Sequence, residues 1–174
     1  EVTPNSFVPL GEVIRQALET THGLVVFLDE VTDPHNTGAI LRAADAFGAS
    51  GVVWTTDRAA PLTSVTRKVS AGASELLLLS RVTNLARALD EARDNGFWIL
   101  GADVHQSSAL PDLEPAYPMA LVLGSEGRGL RRLTKERCDQ LAHIPMIGHV
   151  ESLNVGQAAA VFLSSLRASV PRET

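Results

Sequence analysis

Two uninterrupted apolar runs, Leu24-Val25-Val26-Phe27-Leu28 and Met119-Ala120-Leu121-Val122-Leu123, leave this chain few folds to choose from. A strand with one wet face alternates apolar and polar residues. Five apolar residues in a row need cover on both faces, as in the middle of a parallel sheet flanked by helices. Shorter runs repeat the signal at Gly51-Val52-Val53-Trp54, Leu76 to Leu79, Phe97-Trp98-Ile99-Leu100 and Leu141-Ala142-His143-Ile144, the last stopped by Pro145. Between them the apolar residues take helical spacing. The pattern predicts helices near Leu10 to Leu18, through Ile40, Leu41, Ala44 and Phe47 up to Gly48, from about Asn84 to Arg93, and from Asn154 to Arg167. Alternating strands and helices define an α/β class with a mostly parallel sheet and flanking helices.

At 174 residues, 45% of them hydrophobic and 20% charged, the chain fits one globular domain. No apolar run approaches the roughly 20 residues of a membrane helix. A single cysteine, Cys138, permits no internal disulfide and predicts a reducing, cytoplasmic location; no base stands beside it, so a packing role is expected. The formal net charge of −5 argues against indiscriminate nucleic-acid binding. Positive charge is nevertheless local: Arg128, Arg131, Arg132, Lys135 and Arg137 crowd together, and Arg67 and Lys68 are adjacent. Such a cluster serves either as a rim for an anionic substrate or as a solvated helix face balanced by Glu136 and Asp139, and the sequence favours neither.

Three motifs sit where predicted strands give way to turns or helices. They are Asp33-Pro34-His35-Asn36-Thr37-Gly38-Ala39 through Arg42, Gly124-Ser125-Glu126-Gly127-Arg128-Gly129-Leu130, and Ser152-Leu153-Asn154-Val155-Gly156-Gln157-Ala158. In open α/β sheets ligands bind outside the carboxyl ends of the strands, so the three are expected to share one site. The glycine-rich segment lacks the Gly-Lys-Ser/Thr of a P-loop and fails the Gly-x-Gly-x-x-Gly spacing. The five histidines show no paired metal-ligand spacing, and no Gly-x-Ser-x-Gly elbow appears. What remains, Asn, Arg, Glu, Ser and glycines, can bind, orient and assist a single proton transfer.

These motifs resemble the signatures of the SpoU-type RNA ribose methyltransferases of the SPOUT class, in order and at fitting distances, over about residues 24 to 168. Lys68-Val69-Ser70-Ala71-Gly72-Ala73 and Arg81-Val82-Thr83-Asn84-Leu85 are also similar to members that methylate a guanosine ribose in 23S ribosomal RNA. The resemblance implies a C-terminal trefoil knot, an exception to the rule that chains avoid knots. It implies S-adenosylmethionine as cofactor, RNA as substrate and a homodimer that completes the site; the histidine spacing and the apolar runs lead to an expectation of no metal and no membrane. By position, the cofactor pocket would involve Leu123, Gly124, Ile144, Met146 and Leu153. Asn36, Arg42, Glu126, Ser152 and Asn154 would form the catalytic constellation, with Arg42 nearest the reacting 2′-hydroxyl as base or as electrostatic stabiliser. Asn36 also reads as a helix cap and Glu126 as a turn residue. Residues 1–22 are expected to be an N-terminal extension or linker and residues 23–170 the catalytic domain. Many members carry a substrate-binding domain before it; either RNA recognition here relies on the catalytic domain and its dimer, or that domain has been cut away. Where members often have a serine, Gly156 follows Asn154-Val155, which predicts a more flexible start to the last helix. Transfer to transfer RNA, or RNA binding without catalysis, are the competing readings.

Overall fold

The computed structural model describes residues 7–57, 62–105 and 107–172. Seven strands form one parallel sheet: β1 (Leu24–Asp29), β2 (Gly51–Thr55), β3 (Leu78–Val82), β4 (Trp98–Ala102), β5 (Ser108–Ala109), β6 (Met119–Gly124) and β7 (Gln140–His143), in spatial order β3-β2-β1-β6-β4-β7-β5. The helices are α1 (Leu10–Leu18), α2 (Pro34–Ala46), α3 (Ser64–Val69), α4 (Ala73–Leu76), α5 (Leu85–Asp94), α6 (Arg132–Arg137) and α7 (Val155–Arg167).

The apolar runs split between two cores by strand pleat. On β1, Leu24, Val26 and Leu28 face one layer with Ile40, Leu41 and Ala44 of α2 and Phe162, Leu163 and Leu166 of α7. Val25 and Phe27 face the other, against Val13, Ile14 and Ala17 of α1 and Leu85, Leu89 and Ala92 of α5. On β6, Met119, Leu121 and Leu123 join the first core, and Ala120 and Val122 the second. A period-two strand buried on both sides can bury its polar backbone only inside a sheet, which is why these two runs pair centrally, Leu24 opposite Met119 through Asp29 opposite Gly124.

The predicted helices and strands fall within a residue or two of their places, with one correction. The leucine run beginning at Leu76 does not start a strand there. Ala71 and Gly72 take positive φ (52° and 91°), the chain turns, and the Leu77 N–H closes one helical turn on the Ala73 carbonyl at 3.0 Å. Leu76 is left 74% exposed, and the strand begins two residues later, where Leu78 finds Gly51 on β2. Helices α3 and α4, the short β5 and the α6 boundaries were not read from the sequence. Residues 10–18 of the expected extension pack on the sheet as α1, and residues 1–6 lie outside the described residues.

At the amino-terminal edge of the sheet, Arg167 near the end of α7 donates to three carbonyls: His22 at 2.7 Å, Phe47 at 2.9 Å and Gly48 at 2.9 Å. One side chain thereby ties the last helix to the approach to β1 and to the end of α2. Its guanidinium also lies 5.3 Å from the Tyr117 ring, whose hydroxyl donates to the Leu166 carbonyl at 2.8 Å.

Candidate functional site

The three motifs leave the carboxyl ends of β1, β6 and β7 and meet. After β1, Asp33 caps α2 by accepting from the His35 N–H at 2.8 Å, with Pro34 as the first helical residue. Asp33 therefore takes the capping role considered for Asn36. Asn36 lies in the first turn, 8% exposed, its side chain free to reach sideways.

After β6 the chain folds back tightly, with the Gly129 N–H donating to the Ser125 carbonyl at 2.9 Å. Gly124 makes this possible, because a Cβ there would stand 2.3 Å from the Gly129 carbonyl carbon and 2.7 Å from the Leu130 nitrogen. Arg131 then anchors the loop to β1: its backbone N–H donates to Asp29 Oδ2 at 2.8 Å and its Nε to Oδ1 at 2.6 Å. Asp29 is fully buried, so the bond ties the start of α6 to the end of β1 through a desolvated carboxylate.

Asn154 is the centre of the polar cluster. Its Oδ1 caps α7, accepting from Gly156 N at 2.8 Å and Gln157 N at 3.3 Å. Its Nδ2 donates to Asn36 Oδ1 at 2.8 Å and to Glu126 Oε1 at 2.7 Å. Glu126 Oε1 also accepts from the Val155 N–H at 3.4 Å. One amide thus holds a residue from each of the other two motifs, with every donor and acceptor on it directed. Gly156 lets α7 approach α2 closely: a Cβ there would be 2.9 Å from Ala39 Cβ and 3.1 Å from Asn154 Oδ1. This glycine is a packing requirement at the contact between α2 and α7.

Beside the cluster lies a cleft of about 600 Å³. Leu123, Ile144, Leu153, Ala158 and Phe162 make part of its lining apolar; Asp103, His105, Lys135 and His143 line another part. All five residues assigned to the cofactor, Leu123, Gly124, Ile144, Met146 and Leu153, line this cleft, as do Glu126, Ser152 and Asn154. Asn36 joins through its bond to Asn154. Arg42 stands apart: it is exposed on α2, does not line the cleft, and makes no polar contact among the described residues. Among those residues no group of three His, Cys, Asp or Glu is placed to hold a metal ion.

The basic cluster resolves residue by residue. Arg131 pairs with Asp29, Lys135 with Asp103 at 2.6 Å, Arg132 with Glu136 at 3.3 Å and Arg137 with Asp90 at 3.5 Å. Arg128 lines the cleft and makes no polar contact among the described residues. Balanced ion pairs therefore account for most of the cluster, and among the described residues Arg128 is its member without an ion pair. Cys138 packs partly buried against the sheet, its Sγ donating to the Thr134 carbonyl at 3.4 Å, and burial pushes its thiol pKa up to about 12. Sequence reading missed Asp29 and the Asp103–Lys135 pair. An acid ending an apolar strand was a visible signal for Asp29, but its partner lies 102 positions away.

A parallel α/β domain with polar loops converging at the carboxyl edge of its sheet, around a part-apolar cleft, defines a protein that binds a small ligand and presents it to polar side chains. Residues 23–164 match the SpoU rRNA methylase family model, and the chain belongs to that family. It is 50% identical over 82% of its length to a 23S rRNA (guanosine-2′-O-)-methyltransferase, RlmB, of Coxiella burnetii, covering 57% of that protein. The corresponding enzyme of Pseudomonas aeruginosa is 45% identical over 99% of this chain and is covered to 71%. An uncharacterized tRNA/rRNA methyltransferase of Synechocystis is 44% identical over 94% of the chain, which spans 43% of its length. Among solved structures, an AdoMet-bound rRNA methyltransferase from Sinorhizobium meliloti superposes with a TM-score of 0.84 at 26% identity, over 97% of this chain and 63% of that one. The chain thus spans about half the length of two of these relatives.

Proposed function

We propose that this chain carries the catalytic domain, within residues 23–170, of an S-adenosylmethionine-dependent methyltransferase that modifies a ribose 2′-hydroxyl of RNA, in 23S ribosomal RNA. The observation that carries the reading is the Asn36–Asn154–Glu126 cluster placed at the cleft beside the family's motifs. The names of the Coxiella and Pseudomonas relatives support the substrate class. A bacterial ribosomal RNA substrate would place the protein in the cytoplasm.

The cleft fits the cofactor by its own chemistry. Leu123, Ile144, Met146 and Leu153 offer an apolar enclosure for a flat base, and Gly124 holds the strand end and the following loop close enough that their backbone forms its wall. When bound, S-adenosylmethionine supplies an activated methyl group. The protein's task is then to bring one hydroxyl oxygen into line and to manage its proton.

Asn154 fixes Glu126 and Asn36 at set distances, so the donors and acceptors presented to RNA are oriented before it arrives. Ser152 adds a hydroxyl at the cleft. Arg42 brings the cation. A guanidinium stays protonated under ordinary conditions, so it acts by donating hydrogen bonds to the 2′-oxygen as negative charge builds there, while the hydroxyl proton leaves to water as the methyl bond forms.

Arg42 lies outside the cleft of its own chain, and this supports a homodimer in which two copies complete each site. Exposed apolar residues next to the cleft, Met146 (37%), Ile147 (104%) and Val150 (65%), support the same arrangement. Family membership supports the trefoil knot, as does the path of the chain: after β7 it returns past β6 to lay α7 on α2.

The decisive experiment measures transfer of labelled methyl groups from S-adenosylmethionine into 23S ribosomal RNA fragments and into transfer RNA. Ribose-specific label in the ribosomal fragments supports the reading. Label in transfer RNA alone replaces the substrate. Cofactor binding without transfer to either leaves RNA binding without catalysis.

A further inference from the structure

The geometry points to Asp103 as a residue that binds the cofactor, its carboxylate accepting the two neighbouring ribose hydroxyls of the S-adenosyl group. This rests on the cofactor reading of the cleft given above.

Asp103 lies one residue beyond β4, where its backbone N–H donates to the Ala142 carbonyl at 2.8 Å, so the sheet itself holds it in place. Its side chain is 3% exposed and lines the cleft. Oδ1 accepts from the His105 N–H at 2.8 Å. Oδ2 is buried and lies 2.6 Å from Lys135 Nζ, yet no donor among the described residues is aligned with it as a hydrogen bond.

A carboxylate accepts about four hydrogen bonds, and a buried acceptor left without one costs free energy. Lys135 supplies the countercharge that makes a carboxylate tolerable here but does not saturate it. Ser107 braces the segment, its Oγ donating to the Asp103 carbonyl at 2.7 Å and lying 2.8 Å from His143 Nδ1. The carboxylate is therefore held by its neighbours and keeps acceptor capacity that Lys135 and His105 do not fill. A ribose diol presents two donors side by side, joined to a base that suits the apolar part of the same cleft. In doubly wound α/β domains an acid near a strand end holding ribose hydroxyls is a recurring solution.

Calorimetric titration tests this without RNA or turnover. The wild-type chain is titrated with S-adenosylhomocysteine and with its 2′-deoxy analogue, then Asp103→Ala and Asp103→Asn are titrated with both. The wild type should prefer the diol by roughly 10- to 100-fold, the span expected for one buried hydrogen-bonding partner. Asp103→Ala should lose most of that preference while binding the deoxy analogue nearly as before, and Asp103→Asn should fall between. Equal binding of the two compounds by the wild type would overturn the assignment of Asp103, leave the cofactor cleft standing, and require no variant to fold. Retention of the full preference by Asp103→Ala would overturn it too. Failure of the wild type to bind either compound would overturn the cofactor reading and this proposal with it.

Discussion

Asn154 donates from Nδ2 to Asn36 Oδ1 at 2.8 Å, joining the N-cap of α7 to the first turn of α2 across 118 positions of chain. The same amide caps α7 with its oxygen, so one side chain both ends a loop and sets the site. Replacing it separates these duties. Asn154→Ala should lower stability by about 1 kcal/mol through the lost cap, and methyl transfer by at least about 10-fold. Asn154→Asp should keep the cap but set a second carboxylate against Glu126, so transfer falls similarly with a smaller stability loss. Urea denaturation together with transfer rates separates the two; equal stability losses would contradict the capping argument.

Gly124 touches the loop that follows it more closely than any side chain allows. Gly124→Ala places a Cβ 2.3 Å from backbone atoms that cannot swing aside, so the 125–130 turn must move. Affinity for S-adenosylhomocysteine should fall by at least about 10-fold, with a stability loss of about 1–3 kcal/mol as for other overpacked sites. Calorimetry on the folded variant checks this, and unchanged affinity would remove the 125–130 turn from the cofactor site.

Arg42 contributes nothing visible to the fold. Exposed and without polar contacts among the described residues, it should be replaceable by alanine within about 0.5 kcal/mol of wild-type stability. Methyl transfer should nevertheless fall by about 100-fold or more, the range seen when one donor to a developing oxyanion is removed. An active Arg42→Ala enzyme would remove arginine from the mechanism.

Gly156 meets Ala39 across the α2–α7 contact. Gly156→Ser should destabilise by about 1–3 kcal/mol, because its Cβ would lie 2.9 Å from Ala39 Cβ. Adding Ala39→Gly should recover part of that loss despite the lower helix propensity of glycine, a coupling that thermal unfolding of the two single variants and the double variant will reveal.

Cys138 should be a poor nucleophile in the folded protein. Burial raises its pKa to about 12, so at pH 8 it should react with a disulfide reagent far more slowly than in the urea-unfolded chain. The linkage sign follows: above pH 9 the unfolded thiol ionises while the folded one stays protonated, so this group's contribution favours the unfolded state increasingly up to about pH 12. Comparing pH-dependent stability with Cys138→Ala isolates the effect.

Sequence alone determined the layers of this protein and the addresses of its site. Five apolar residues in a row at Leu24 and at Met119 demand burial on both faces, and polar motifs placed just after such strands can only emerge at one edge of a parallel sheet. These are local periodicities, which is why α1 and the last helix from Asn154 were legible, whereas the cap was expected at Asn36 and the structure puts caps at Asp33 and Asn154. The leucines from Leu76 to Leu79 misled because four in a row suit a strand or a buried turn equally, and pairing with Gly51 on another strand settles the register. Tertiary structure alone decided that Asn154 bridges Asn36 and Glu126, that Arg131 serves Asp29, that Lys135 faces Asp103, and that Arg42 stands outside its own chain's cleft. Each depends on side chains meeting across tens of positions, where direction and distance are set by the packing of whole helices and carry no local signature.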